Sequence, residues 1–489
     1  MTILLKNGMV YDGNGGAPFK SDLIVRDRRI VRIGVFPKKY ADIMVDATGM
    51  TVTPGLMDIN FRAEGTAGIL HDPYQENLIR AGVTTVVGGN YGISPAPVLW
   101  NGIHFPGKWS SAPNPNFNWQ SMKEFLSVLE RRGVGVNFGT LVGYSVIRDF
   151  FTNGIERDLT LREMESAKNL VTQSFKEGTF GFSTDLSSPH SERMPMWEIS
   201  ELAREAGRAK RVYATRMRYR DERFLSALGE ILEIGKKTGA SIEINQFQPV
   251  REFAALYEEA LALIEKETAQ SHVNFDVFPD LSTATPIHFF LPDWLKKGDL
   301  DHMSRSLREK DIKERVLKHL QKIKMPDVIF AEMPPALKFL EGKSLEDFAR
   351  NHGLTKTRAM FRIMVMTKLR AILFHNQADR KILGKFLANQ CSIISGFHRF
   401  AGKRGDMGDL LLWADKNGGL PLEKMIAKMT NLPAVKYGLE RRGLIRENYW
   451  ADIVLWENWK PKTVLVNGSF AMRDGAYVNN LVGSVLKAA

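Results

Sequence analysis

The sequence predicts an α/β protein whose centre is a parallel sheet built from repeated βα units. Two observations carry this expectation. Between residues 54 and 439, short apolar strand patterns alternate with helical patterns, the rhythm of strand–helix–strand crossovers. Outside that stretch, residues 4–53 and the last fifty residues read as short alternating strands joined by Gly turns. Each end alone is too thin to bury a core; together they could form one small β-sandwich.

The elements follow in order. Met9-Val10-Tyr11-Asp12 leads into Gly13-Asn14-Gly15-Gly16, a tight loop where positive φ is easy. Asp22–Asp27 and Arg29–Gly34 alternate in and out as a hairpin does. Met50–Thr53 runs into the Pro54-Gly55 break and then a second short strand. A helix closes at Leu78–Gly82, and Val83–Asn90 follows as a strand. Val134–Gly143, Gly178–Thr184, Val212–Thr215, Ala240–Asn245 and Val273–Phe278 continue the strand series. Between them, Met164–Glu177 and Glu222–Thr238 read as helices, the second stopped by Gly239. Residues near 292–352 are helix-rich and basic, interrupt the βα rhythm and look like an inserted lid. Cys391–Ser395 is the last clear strand before the return. Thr463–Gly468 and Phe470–Gly475 form a hairpin with an Asn-Gly turn.

Bulk properties narrow the function classes. A length of 489 residues fits one to three domains, and 44% hydrophobic with 25% charged residues is ordinary for a soluble globular chain. The net charge of +12 comes from 67 basic and 55 acidic residues. These are interleaved, as in Leu307–Arg315, which reads as a solvated helix face and not as a nucleic-acid footprint. No apolar run approaches the ~18 residues of a membrane span, and the N-terminus lacks the features of a signal peptide. The single cysteine, Cys391, excludes an intrachain disulfide and suits the cytoplasm, where it is expected buried on its strand. The loop around Trp109, Phe117 and Trp119 is a candidate contact surface.

The run Pro54-Gly55-Leu56-Met57-Asp58-Ile59-Asn60-Phe61-Arg62 resembles the amidohydrolase superfamily, in its D-aminoacylase (N-acyl-D-amino-acid deacylase) branch. Further segments carry the same resemblance: Gly88–Pro97, Gly178–Thr184, Tyr213–Arg218, and Gly443-Leu444-Ile445 with Trp450–Val454. It implies a (β/α)8 TIM-like barrel over 54–439 with the helix-rich insertion near 292–352, and a β-sandwich domain from 1–53 plus 440–489. It also implies one or two divalent metals, which lower the pKa of bound water and polarise the substrate carbonyl. Yet the positions matching the metal site read Asn60 and Arg62 for a paired His, Tyr91 for a Cys, Arg216 and Gln246 for two further His, and Gly396 for the catalytic Asp. Tyr144 and Gln248 replace a His and a Lys common nearby. None of the six is a standard ligand, and Arg puts a fixed positive charge where a dication would sit. The ten His residues form no H-x-H or H-E-x-x-H pattern. No metal or other cofactor is therefore expected.

The substitutions also point to an anion. Arg62 and Arg216 are expected to face the old metal cavity, with Arg218 beside them; the resemblance gives Arg218's position to the substrate carboxylate. Two guanidinium groups ~6 Å apart repel by about 3 kcal/mol at an effective dielectric of 20. Such a pair needs a compensating anion: a carboxylate such as Glu64 or Asp276, making a salt-bridge plug, or a small bound carboxylate lined by Tyr91 and Tyr144. Three readings follow. The first is a non-catalytic structural or regulatory subunit, beside a protein partner or an active homologous subunit, or binding an N-acyl amino acid. The second is a metal-independent enzyme acting on an amide C–N bond through Arg, Tyr91, Tyr144 and carboxylates. The third, a misaligned metal-dependent deacylase, requires His at strand ends, and the sequence offers none there.

Overall fold

The computed structural model describes all residues except 39–40, 62–67, 100–118, 154, 156, 189–190, 192, 220, 269–271, 279–281, 297–299, 324–326, 377, 379, 397–410 and 412–419. Arg62, Glu64, Trp109 and Phe117 thus lie outside the described residues.

Both chain ends meet in one sheet. Its N-terminal strands are β1 (Thr2–Val10), β2 (Phe19–Arg26), β3 (Arg29–Gly34), β4 (Ile43–Asp46) and β5 (Thr51–Pro54). β1 pairs antiparallel with β2 and parallel with β4 and β5. From the other end, Ile453–Glu457 pairs antiparallel with β5, so that Val454 faces Thr53 and Leu455 faces Val52. The strands Lys460–Val466, Ser469–Arg473 and Ala476–Tyr477 extend this edge. Ile3, Leu5, Val10, Val25, Ile453 and Leu465 supply the shared core. The buried Arg442–Asp452 pair ties this domain to the barrel, since Asp452 also accepts from Asn137 Nδ2 at 3.2 Å.

The barrel strands are β6 (Leu56–Asp58), β7 (Val83–Gly88), β8 (Asn137–Thr140) with its continuation β9 (Val142–Gly143), β10 (Gly181–Asp185), β11 (Val212–Arg216), β12 (Ser241–Ile244), β13 (Val273–Val277) and, after an excursion, Ser392–Ile394. Every pairing among them is parallel. Strand entry at Pro54-Gly55 explains its glycine: a Cβ there would lie 2.1 Å from Thr84 Oγ1. The ring closes between Ser392–Ile394 and β6 through side chains. Buried Asp58 accepts from Ser395 Oγ at 2.8 Å and from the Gly396 N–H at 3.0 Å. The helix expected from Met164 begins at Leu161, because Thr160 and Glu163 form a capping box. The helix Phe224–Thr238 ends at Gly239, in the left-handed conformation with φ 68°. Cys391 is buried. Trp119 is buried too, not exposed in a contact loop: its indole N–H donates to the Pro95 carbonyl at 2.7 Å and its ring packs on Phe125.

Residues 292–352 lie inside a longer excursion that leaves the barrel after β13. It carries β14 (Ser282–Pro286), β15 (Val328–Glu332) and β16 (Ile372–Asn376), an antiparallel sheet in the order β14-β16-β15. Its helices share a separate apolar core with that sheet, including Leu291, Val316, Leu320, Phe330, Met360, Ile363 and Leu373. A smaller apolar cluster, Ala331, Ile372 and Phe374, packs on Phe278 just past the end of β13. Among the described residues, no helix is long and apolar enough to cross a membrane.

Candidate functional site

Five of the six substituted positions are described, and all follow the C-terminal ends of barrel strands, where this architecture builds its sites. Asn60 stands two residues past β6, Tyr91 three past β7, Arg216 at the end of β11, Gln246 two past β12, and Gly396 two past Ser392–Ile394. Two of these backbones are unusual. Tyr91 (φ 59°) and Gln246 (φ 52°) hold left-handed conformations that cost a non-glycine residue about 1–2 kcal/mol each. Gly396 has φ 96°, and a Cβ there would make ordinary contact, 3.5 Å, with Phe278. Space is therefore available at Gly396, but an aspartate would be strained on this backbone.

The side chains at these positions are bonded to one another. Tyr91 Oη donates to Asn60 Oδ1 at 2.5 Å, and Asn60 Nδ2 donates to Asp276 Oδ1 at 2.6 Å. The other carboxylate oxygen of Asp276 accepts from Asn245 Nδ2 at 3.0 Å. Arg216 lies over this layer. Its guanidinium carbon is 4.6 Å from the centre of the Tyr91 ring, within cation–π reach. One terminal nitrogen donates to Gln246 Oε1, and the other pairs with Asp185 Oδ2 at 3.5 Å. Arg216 Nε is buried with no hydrogen-bond partner among the described residues. Among the described residues, the carboxylate paired with Arg216 is thus that of Asp185, while Asp276 accepts from two amides. Gln248 turns away and clasps the backbone of Phe278, donating to its carbonyl at 3.0 Å and accepting from its N–H at 3.2 Å.

Arg218 and Tyr144 do not join Arg216. Arg218 donates through Nε to Glu230 Oε2 at 3.0 Å and through a terminal nitrogen to the Met194 carbonyl at 3.0 Å. Tyr144 is fully buried and donates to Glu198 Oε1 at 2.6 Å, an oxygen it shares with Arg148 Nε at 2.8 Å. Burial, reinforced by the Glu198 charge, pushes the Tyr144 phenol well above its ordinary range. Two groups that sequence reasoning does not single out, Asn245 and Ser395, complete the mouth; neutral side chains carry no spacing motif.

Deeper in the barrel, Glu243 is fully buried, and desolvation with the nearby Asp276 pushes its carboxyl well above the usual range. Lys436 reaches the same floor and donates to the carbonyls of Ile242 at 2.5 Å and His272 at 2.9 Å. Burial lowers its ammonium to about 8. Among the described residues, no group of three or more His, Cys, Asp or Glu is placed to hold a metal ion.

No protein-family model matches the chain. Among curated proteins it is similar to an N-acyl-D-aspartate deacylase and a D-aminoacylase of Alcaligenes xylosoxydans xylosoxydans. Each is 26% identical; the matches cover 96% of this chain and 87% or 90% of the relative. Among solved structures, a D-aminoacylase with a binuclear metal center superposes with a TM-score of 0.81 at 24% identity, covering 99% of both chains. The N-acyl-D-glutamate deacylase of Bordetella bronchiseptica, complexed with zinc and a phosphonate inhibitor, gives 0.82 at 22% identity and the same coverage. Both structures share the fold of a barrel with a β domain. With its motifs in order along nearly the full length, the chain is D-aminoacylase-like in sequence and in fold.

Proposed function

We propose that this chain is a D-aminoacylase-like protein without a working metal centre, acting as a non-catalytic structural or regulatory subunit in the cytoplasm. A single observation carries the reading. Arg216 and Gln246, at positions where the resemblance puts two metal-binding histidines, are hydrogen-bonded to each other. The donor set does not fit a dication. A guanidinium repels it, Asn60 Oδ1 and Gln246 Oε1 already accept from Tyr91 and Arg216, and Gly396 has no side chain. The mouth is instead a plug whose charges are balanced internally by Asp185. A protein partner, such as an active homologous subunit, is part of this reading.

A second reading has one observation in its favour. The buried Arg216 Nε has no partner among the described residues, so a small carboxylate entering the mouth would find a donor waiting. N-acyl-D-aspartate and N-acyl-D-glutamate are the first probes, because relatives of this chain are named for them. Dialysis against zinc followed by elemental analysis tests the main reading; more than ~0.5 zinc per chain overturns it. Thermal shift with the two acyl amino acids tests the second: a saturable rise in the wild type, lost on Arg216→Met, supports it, and a flat response removes it.

A further inference from the structure

The interior below the Arg216–Gln246 layer holds polar groups that the mouth does not use. Glu243 on β12 and Asn245 just beyond it are two residues apart, so both face the barrel axis from one side of the strand. Glu243 is fully buried, and neither carboxyl oxygen has a hydrogen-bond partner among the described residues. Asn245 Oδ1 is also unpartnered, and its orientation is fixed because its amide nitrogen donates to Asp276. Tyr437, which follows the helix Asn431–Lys436, is 4% exposed and its hydroxyl has no partner among the described residues. It lies within electrostatic reach of both Glu243 and Asp276.

These groups have a common deficit. With Glu243 as the neutral acid, one of its oxygens and Asn245 Oδ1 can only accept, while its O–H and the Tyr437 hydroxyl can donate; Lys436, the cation facing Glu243 among the described residues, already gives two of its hydrogens to backbone carbonyls. Orphan atoms this deep carry the full desolvation penalty unless something bonds to them. Protein interiors meet such a need with ordered water, which brings two donors and accepts in return. A metal ion is the poorer occupant, because it would have to pass the Arg216 layer and sit beside an ammonium.

We propose that the barrel floor is an internal water site, in which ordered water bridges the Glu243 carboxyl, Asn245 Oδ1 and Tyr437 Oη. The site favours Glu243 as the neutral acid, since burial and Asp276 both oppose its ionisation and only Lys436 favours it. The other titrating neighbours are Tyr437 and, through Lys436, Cys391. Three hydrogen bonds, Asn245–Asp276, Asp276–Asn60 and Asn60–Tyr91, connect this floor to the mouth. A change in floor hydration or protonation is therefore transmitted to the ring on which Arg216 rests.

The test uses the full chain as wild type, Glu243→Gln and Tyr437→Phe. A crystal structure of the wild type should show solvent density in contact with Glu243 and Tyr437, and Tyr437→Phe should lose or displace it. An infrared carbonyl band of a protonated acid should be present at neutral pH and vanish in Glu243→Gln. In urea, the midpoint difference should move steadily in favour of Glu243→Gln from pH 5 to 8. A carboxyl whose folded pKa is raised loses its stabilising contribution as pH climbs above its ordinary value. A dry floor with Glu243 bonded directly to Lys436, or a stoichiometric cation in its place, overturns the proposal. If Glu243→Gln fails to fold, the density and the acid band of the wild type still decide. None of these readouts depends on zinc binding or turnover at the mouth, so this proposal and the functional reading fail separately.

Discussion

Replacing Arg216 by methionine separates a plug from a ligand pocket, because the two give opposite signs in the unliganded protein. The change removes the charge-assisted hydrogen bond to Gln246, about 1.5–3 kcal/mol, and the contact over the Tyr91 ring, about 0.5–1 kcal/mol. The pair with Asp185 is long and partly solvated, and contributes at most about 1 kcal/mol. Against these losses, the variant no longer buries an unpartnered Nε, a relief of about 1–3 kcal/mol. The net expectation is destabilisation by about 1–2 kcal/mol, since Gln246 and Asp185 are left without their cation. At an m-value near 3 kcal/mol/M, that lowers the urea midpoint by about 0.5 M. The assay is equilibrium unfolding followed by tryptophan fluorescence and circular dichroism, on protein dialysed free of small carboxylates. A midpoint that rises on losing Arg216 would refute the plug: the guanidinium would then be held under strain, as ligand-binding groups often are.

Other perturbations test the supporting structure. Asp452→Ala should cost about 3–5 kcal/mol in urea, because it strands the buried Arg442 and the Asn467 N–H that donates to Asp452 at 2.7 Å. Lys436→Met should flatten alkaline stability. The folded ammonium titrates at about 8 and the unfolded one near 10.5, so the folded state sheds its proton first. Wild-type stability then gains with rising pH between those values, and the variant lacks that slope in urea midpoints taken from pH 8 to 10. Tyr144→Phe should cost about 1–3 kcal/mol through the lost bond to Glu198, with no change in any thermal response to carboxylates. A lost response would place Tyr144 at the mouth after all.

The fold was legible because its evidence is repetitive. Each βα unit restates the period, and strand ends such as Gly178–Thr184 and Val212–Thr215 come with their own turn residues. The replaced ligands were legible for the same reason, each sitting in an intact frame of neighbours. What could not be read was where the new side chains would turn. Arg218 finds Glu230 on the helix Phe224–Thr238, twelve residues away in sequence, and no local pattern distinguishes that from a contact at the mouth. Asp185 rather than Asp276 pairs with Arg216, while the Asp276 carboxylate turns to the amides of Asn60 and Asn245, and no spacing in the sequence distinguishes the two aspartates. The left-handed backbones of Tyr91 and Gln246 were equally hidden, since neither residue type favours that region. The β sheet of the excursion is not legible in the sequence because its three strands, Ser282–Pro286, Val328–Glu332 and Ile372–Asn376, are far apart along the chain and separated by helices.

The most direct measurement is anomalous diffraction at the zinc edge from crystals grown with zinc in excess. The account predicts no zinc peak among Asn60, Tyr91, Arg216, Gln246 and Gly396, with Arg216 still bonded to Gln246. A peak there, ligated by at least three protein atoms and matched by chelator-sensitive hydrolysis of an N-acyl-D-amino acid, would contradict it.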